Sequence, residues 1–399
     1  MTRRRILLIL LGVTVLVAGG LRIRQTMRQN YLATASFDRL LENSRTSPAD
    51  AGVQMTLARR AIEQKRYDVA ATAAEKAVRA EPQDPEAWLL WAKATGFVGG
   101  GGAADLVLKE CLKVHPACAP ALFERAKIAQ GNGDYPTAFD LAEQAARIDA
   151  RQPDYWRLIG DTGLLLRHLD TARDAFRKAA ELTPDDWQPV VGMGRVEELQ
   201  KQYAEAIPRY RDAVRLAPLQ PEPRLYLANA LIDSATTPAA YEEARQILAP
   251  LLQPSDLAPA WRVMALRYQG ETYRKERKWS QALPFLEEGA RGNPGDEEIH
   301  FLLISVYRGL GRQKEAALAV ARHREIIAYK SEIRTLRSQV DAHPQDAALR
   351  IKLARLYESR GNIRDTVGVY RQMIDRNVGA DTARAALEAL RKRYADAAR

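Results

Sequence analysis

Small apolar residues recur at a fixed interval of 34 residues through the middle of the chain. The first series comprises Ala58, Ala92, Ala126, Gly160 and Gly194, and the second comprises Ala70, Ala104, Ala138, Ala172 and Ala206. Two helix axes approach to about 8 Å only where the side chains between them are small. The recurrence therefore predicts closely packed helix pairs, one pair in each interval.

Larger apolar residues and prolines follow the same interval. Bulky side chains between the small ones are Trp88, Trp91, Leu108, Trp156, Ile159, Phe176 and Tyr210. Prolines mark the predicted turns between pairs at Pro82, Pro116, Pro184 and Pro218, with Ala150 at the one position that lacks a proline. We therefore predict repeats that start near residues 51, 85, 119, 153, 187, 221, 263, 297 and 347.

The residues of the fourth repeat resemble the tetratricopeptide repeat family. The matching residues are Trp156, Ile159, Gly160, Ala172, Phe176, Ala179 and Pro184. The resemblance implies an all-α fold, a right-handed superhelical solenoid of about nine helix pairs over residues 51–380. Residues 381–399 are predicted to form a C-terminal capping helix, which covers the apolar side of the last repeat.

Two segments depart from the regular interval. Residues 234–240 lengthen the loop between the helices of the sixth repeat. The second helix of the eighth repeat is predicted to continue as far as Val340, because no proline or glycine interrupts it before Pro344. This extension is unusually long for the family and is a candidate for a partner contact or a bend in the superhelix.

Residues 6–21 contain no charged side chain, and Thr14 is their only polar one. Three arginines precede this run, and Arg22 and Arg24 follow it. A helix of this length spans about 24 Å, and arginines that extend towards the headgroups make up the difference from a hydrocarbon core of about 30 Å. The pattern predicts a single N-terminal transmembrane helix as the membrane anchor, residues 1–21, with a secretory signal, cleaved or uncleaved, as the alternative. Residues 22–50 are then a juxtamembrane helical linker.

The distribution of charge affects both the localisation and the partners. The net charge is +10, and six arginines lie in the first 28 residues, which contain no acid. A net charge of only +4 remains for the rest, so nucleic acid is not an expected partner. The three arginines before the apolar run favour a single-pass membrane protein whose body lies on the extracytoplasmic, periplasmic side.

No constellation of residues indicates catalysis, a cofactor or a metal. The five histidines are His115, His168, His300, His323 and His343, and none is spaced as a general base beside a nucleophile. Cys111, His115 and Cys118 offer only three metal ligands, and a disulfide between the two cysteines stays open. The glycine run 99–102 lacks the Lys-Ser or Lys-Thr pair of a phosphate loop, so we interpret it as a turn between helices.

The resemblance implies that positions 5 and 9 of each first helix line the concave face of the solenoid. Five of the nine residues at position 9 are basic, and most at position 5 are apolar. The predicted partner-binding groove comprises Arg59, Leu89, Lys93, Phe123, Lys127, Arg157, Arg195, Asn229, Arg267, Phe301 and Arg355. Alternating apolar and cationic rows suit a peptide or protein with acidic and hydrophobic side chains.

These patterns favour a non-catalytic scaffold for protein–protein interaction, with no small-molecule substrate. The resemblance and the predicted anchor together suggest a role in cell-envelope biogenesis or complex assembly. The alternative is a periplasmic protein for polysaccharide binding or export. Exposed tryptophan rings on one face would favour the alternative, whereas Trp88 and Trp156 are expected to be largely buried.

Overall fold

The computed structural model describes residues 26–253 and 257–397. All regular structure in these residues is helical, and successive helices pack in pairs. The predicted all-α class is therefore confirmed. The chain divides into two compact units, Met1–Leu166 and Arg167–Arg399.

The first unit contains eight helices within its described residues. They are α1 (26–34), α2 (Phe37–Thr46), α3 (Ala51–Glu63), α4 (Tyr67–Ala80), α5 (Pro85–Val114), α6 (Ala119–Gly131), α7 (Tyr135–Ile148) and α8 (Pro153–Leu165). Helix α5 is broken at Gly100, whose φ is 81° and ψ is −178°. The break supports the interpretation of the glycine run as a turn, and it makes the two halves of α5 a helix pair.

The second unit contains twelve helices within its described residues. They are α9 (Leu169–Leu182), α10 (Trp187–Leu199), α11 (Tyr203–Leu216), α12 (Pro221–Ser234), α13 (Pro238–Leu252), α14 (Pro259–Lys275), α15 (Trp279–Gly292), α16 (Glu297–Gly309), α17 (Gln313–Ala342), α18 (Ala347–Glu358), α19 (Ile363–Asp375) and α20 (Ala380–Ala397). Helix α17 is unbroken over 30 residues, as predicted for the second helix of the eighth repeat.

Local sequence explains where the first helices begin. Aspartate carboxylates accept hydrogen bonds from backbone N–H groups in the first turn and so satisfy donors that have no partner within the helix. The capping residues are Asp50, Asp84, Asp186, Asp296 and Asp346. These caps fix the start of α3, α5, α10, α16 and α18.

The turn between the two helices of a repeat has the same backbone geometry in both units. One residue at an equivalent position adopts a φ between 57° and 80°, in the left-handed region. The residues are Lys65, Gly133, Arg167, Lys201, Arg277, Gly311 and Gly361. Lysine and arginine pay a small steric cost there, so the packing of the two helices must outweigh the local preference for glycine.

The small residues lie at the helix crossings. Ala58, Ala92 and Ala126 are buried in the first unit. In the second unit, a Cβ added to Gly194 would lie 2.6 Å from the ring of Tyr210, and one added to Gly270 would lie 2.6 Å from Leu286. Large side chains of the second helices therefore occupy the space that the small residues leave.

The predicted localisation requires correction. Within residues 26–253 and 257–397, no helix is both long and apolar enough to cross a bilayer. Crossing takes about 20 mainly apolar residues, and the two longest described helices, α5 and α17, carry several charged side chains. This finding contradicts the prediction of a single-pass membrane protein with an extracytoplasmic body. The predicted anchor over residues 6–21 lies outside the described residues.

Candidate partner-binding surface

The first helices of successive repeats lie side by side in each unit. In the first unit α3 contacts α5 and α6 contacts α8, and in the second α10, α12, α14 and α16 contact one another in turn. The rings of Phe123 on α6 and Tyr155 on α8 pack with centroids 4.8 Å apart. Side chains at the same repeat position therefore lie on the same face of neighbouring first helices.

In the first unit, position 9 carries a row of three exposed cations, Arg59, Lys93 and Lys127, which we call the basic row. Arg59 forms an ion pair with Glu86 at 2.5 Å, and Lys127 with Glu124 at 2.7 Å. Among the described residues Lys93 has no ion-pair partner. Because exposed ion pairs exchange readily with solvent, the row is available to a carboxylate of a partner.

Apolar side chains accompany the basic row. Leu89 and Phe123 are half-buried at position 5, and the Lys127 ammonium lies 5.1 Å from the centroid of the Phe123 ring. Arg157 is half-buried and forms an ion pair with Asp154 at 2.8 Å. Met55, at position 5 of the first repeat, is buried in the core. The structure thus combines Leu89 and Phe123 with the basic row over α5 and α6.

In the second unit the same face is occupied by an internal polar network. The Glu198 carboxylate accepts hydrogen bonds from the Tyr210 hydroxyl at 2.5 Å and from the Asn229 amide at 2.8 Å. The Tyr210 and Tyr226 rings stack at 5.5 Å, and the Arg195 guanidinium lies 5.6 Å from the Tyr226 centroid. We call these five residues the Glu198 network.

Burial raises the pKa of the Glu198 carboxyl, and the hydrogen bonds from Tyr210 and Asn229 offset only part of that effect. The negative charge of Asp233 raises this pKa further, whereas the positive charge of Arg195 lowers it. Burial of the Tyr210 hydroxyl beside Glu198 raises the pKa of Tyr210 as well. The network is therefore a partly desolvated group of polar side chains that satisfy one another.

The remaining predicted groove residues are dispersed through the second unit. Arg267 stacks at 4.8 Å over the Tyr268 ring and forms an ion pair with Glu298. Phe301 is 59% exposed and packs at 5.7 Å against His323. Arg355 on α18 is exposed. Tyr268, which Arg267 covers, packs against the same apolar cluster as Tyr226, so Arg267 adjoins the Glu198 network.

Sequence reasoning missed Glu198, Tyr226 and Tyr268. Both tyrosines occupy position 6 of their repeats, beside the position 5 residues Leu225 and Arg267. The signal for them is the tyrosine that recurs at position 6 of the sixth and seventh repeats. Glu198 lies at position 12, one turn beyond position 8 on the first helix, and could have been found by comparing this position across repeats.

The tryptophans contribute to packing. Trp88 is buried at 8% exposure, Trp156 is half-buried, and none of the six tryptophans is classed as exposed. The Trp88 and Trp156 indoles each donate a 2.9 Å hydrogen bond to a carbonyl six residues earlier. Equivalent side chains that bond to the same kind of carbonyl are Arg224, His300 and Arg350. The exposed tryptophan rings that would favour the polysaccharide alternative are therefore not observed.

The two cysteines contact each other, and His115 bonds a backbone carbonyl instead of joining them. Cys111 and Cys118 are free and buried, and a hydrogen bond from the Cys111 thiol lowers the pKa of Cys118 to about 6. His115 instead bonds the Pro82 carbonyl at 3.1 Å. Among the described residues no three potential ligands converge on a common point where a metal would bind.

Comparisons with known proteins agree with the repeat architecture. Family models described as tetratricopeptide repeat match residues 51–94 and 123–187. No curated protein matches the sequence.

Similar solved structures are also helical repeat proteins. A tetratricopeptide repeat protein from Parabacteroides merdae has 14% identity and a TM-score of 0.49, covering 64% of this chain and 98% of that one. A thermophilic one from Thermus thermophilus has 22% identity and a TM-score of 0.35, covering 46% and 99%. YrrB, described as having an unusual peptide-binding site, has 18% identity and a TM-score of 0.37, covering 48% and 95%.

Proposed function

The chain belongs to the tetratricopeptide repeat family, and from that premise we propose that its first unit binds an acidic, apolar peptide segment of a partner protein. Proteins of this family are in general non-catalytic scaffolds for protein–protein interaction. The peptide occupies the first-helix face of α3, α5 and α6. No observation in the described residues supports a specific envelope role.

The basic row carries this proposal. Arg59, Lys93 and Lys127 are all exposed, lie on the first helices of consecutive repeats and share one repeat position. Their spacing along the chain is regular because the repeats are regular. A row of cations on a rigid helical face attracts a peptide with several carboxylates and fixes its direction, whereas isolated surface cations do neither.

The apolar part of the site supplies affinity. Leu89 and Phe123 lie at position 5 beside the basic row and remain half-exposed. Burial of apolar area contributes about 25 cal/mol for each Å² removed from water. Exposed ion pairs contribute about 0–1 kcal/mol each. We therefore assign affinity chiefly to Leu89 and Phe123, and selectivity for acidic peptides to the cations.

A direct test uses a fluorescein-labelled decapeptide of alternating Glu and Leu, titrated with the full chain by fluorescence anisotropy. The triple variant Arg59→Glu, Lys93→Glu, Lys127→Glu is expected to lose at least about tenfold in affinity, because attraction becomes repulsion. Affinity of the native chain is also expected to fall with added salt.

A second triple variant controls for net charge. Arg79, Lys109 and Arg147 are exposed cations on second helices of the same unit, and their replacement by Glu produces the same change in charge. This control is expected to bind the decapeptide within about twofold of the native chain. An equal loss in both triple variants, or no loss in the first, contradicts the proposal.

A further inference from the structure

A second groove lies between α19 and α20 near the end of the described chain, with a volume of about 900 Å³. Its floor is apolar and includes Val367 and Ile374 on α19 and Leu387 on α20. The edges carry Arg371 and Arg391, both exposed. None of these residues belongs to the basic row or to the Glu198 network.

The same groove exists two repeats earlier, between α15 and α16, with a volume of about 380 Å³. The lining residues correspond by repeat position. Glu287 corresponds to Arg371, Ala290 to Ile374, His300 to Arg384, Leu303 to Leu387 and Tyr307 to Arg391. In the earlier groove the following helix α17 forms one wall, with Leu318 and Ala319 among the lining residues. The groove between α19 and α20 is lined by those two helices alone, within the described residues.

The charge of the groove indicates what would occupy it. Arg371 and Arg391 form no ion pair among the described residues, whereas Arg384 pairs with Asp381 at 2.6 Å. Lys392 pairs with Glu388 at 3.0 Å. Three positions that hold an acid, a histidine and a tyrosine in the earlier groove thus hold arginines in this one. These arginines are Arg371, Arg384 and Arg391. An occupant needs carboxylates beside an apolar stripe to complement these edges.

We propose that the groove between α19 and α20 binds an acidic amphipathic helix of a partner protein, in the place that α17 takes two repeats earlier. A helix of 13 residues, the length of α19, is about 20 Å long. Its apolar stripe packs on Val367, Ile374 and Leu387, and its carboxylates pair with Arg371 and Arg391. The partner helix thereby adds one helix to the stack.

The probe for this proposal is a labelled peptide derived from α17. It contains residues 313–326, with Lys314, Arg322 and Arg324 each replaced by Glu, so that it keeps the apolar stripe and becomes acidic. Anisotropy with the full chain is expected to show binding. A scrambled peptide of the same composition, which has no apolar stripe, is expected to bind at least about tenfold more weakly.

The groove is tested with the double variant Arg371→Glu, Arg391→Glu, which is expected to lose at least about tenfold in affinity for the acidic probe. Both side chains are exposed, so the fold should persist, as circular dichroism will show. If the double variant unfolds, the neutral pair Arg371→Gln, Arg391→Gln replaces it, with a loss of about threefold expected. A matched control, Lys352→Glu with Arg364→Glu, changes two exposed cations outside the groove lining and should bind within about twofold.

Three results overturn the proposal. The first is equal binding of the acidic and scrambled peptides, and the second is unchanged binding by the folded double variant. The third is self-association of the native chain, measured by sedimentation, that the double variant abolishes, because a second copy then occupies the groove. The triple variant of the basic row should bind the α17-derived probe within about twofold of the native chain, so failure at one surface is distinguishable from failure at the other.

Discussion

Position 9 of the first helices has different surroundings in the two units. In the first unit Arg59, Lys93 and Lys127 extend into solvent as the basic row. In the second unit Asn229 at the same position donates to the Glu198 carboxylate, and Arg195 lies half-buried against Tyr226. The first unit exposes these cations to solvent, whereas the fifth and sixth repeats use Arg195 and Asn229 within the fold.

A single repeat position accounts for the difference. Position 12 of the first four repeats contains Ile62, Gly96, Gln130 and Leu164, none of which is acidic. The fifth repeat has Glu198 there, and its carboxylate lies within 2.8 Å of the Asn229 amide of the next repeat. A carboxylate at position 12 therefore captures the donor that would otherwise face solvent. Repeat position predicts the direction of a side chain, but the neighbouring repeat determines whether it is available.

Removal of the Tyr210 hydroxyl should have the largest effect of the substitutions that compare the two faces. Tyr210→Phe leaves a partly desolvated carboxylate without one of its two donors, so we expect the free energy of unfolding to fall by about 1–3 kcal/mol. Lys93→Ala removes an exposed side chain and should change it by less than about 0.5 kcal/mol. Urea unfolding followed by circular dichroism measures both.

Glu198→Gln tests whether the buried carboxyl resists ionisation. Burial raises the pKa of Glu198 above its ordinary value of 4.5, so the unfolded chain releases this proton at a lower pH than the folded chain does. As pH rises from 4 towards 7, ionisation of Glu198 therefore lowers the stability of the native chain. The Gln variant has no such loss, so its free energy of unfolding should increase relative to the native value over this range.

Glu276 provides a control of opposite sign. Burial alone would raise the pKa of Glu276, but hydrogen bonds from Lys278 and Arg245 outweigh it and lower the pKa below 4.5. Its stabilising contribution is present above the unfolded-state pKa and is lost as pH falls through the folded-state pKa. Glu276→Gln should therefore lose free energy of unfolding relative to the native chain as pH rises from 4 to 7. The same sign in both variants contradicts the assignment of Glu198.

Helices and their pairing followed from the sequence because both depend on local pattern. The small residues at 34-residue spacing, such as Ala58 and Ala92, are buried where helices cross, and aspartates such as Asp84 cap the first helices. The first helix of the seventh repeat begins at Pro259, ahead of the start predicted near residue 263. The loop predicted to be longer at residues 234–240 comprises only residues 235–237, because the flanking residues join α12 and α13. A prediction of helix boundaries from periodicity is least accurate where the spacing of the repeats is irregular.

The candidate binding surfaces are harder to predict from the repeat pattern than the helices are. Position 9 identified Lys93 and Asn229 equally well, although their environments differ because Glu198 comes from another repeat. The sequence does not predict the groove beside Leu387, because its pattern predicts α20 only as a cap that covers apolar surface. Its volume depends on how α19 and α20 pack together, and no single residue of α20 determines that packing.

Single charge reversals at position 9 of each unit should give the smallest change in peptide affinity. They also compare the two units most directly. Lys93→Glu should weaken binding of the alternating Glu-Leu decapeptide about fivefold, because Lys93 is exposed and has no ion-pair partner among the described residues. Arg195→Glu should weaken it less than twofold, since Arg195 is half-buried beside Tyr226 and the Glu198 carboxylate already makes that face acidic. Anisotropy titrations at one salt concentration decide between them. Equal losses would mean that the peptide uses both units, and the contrast drawn from position 12 would then be wrong.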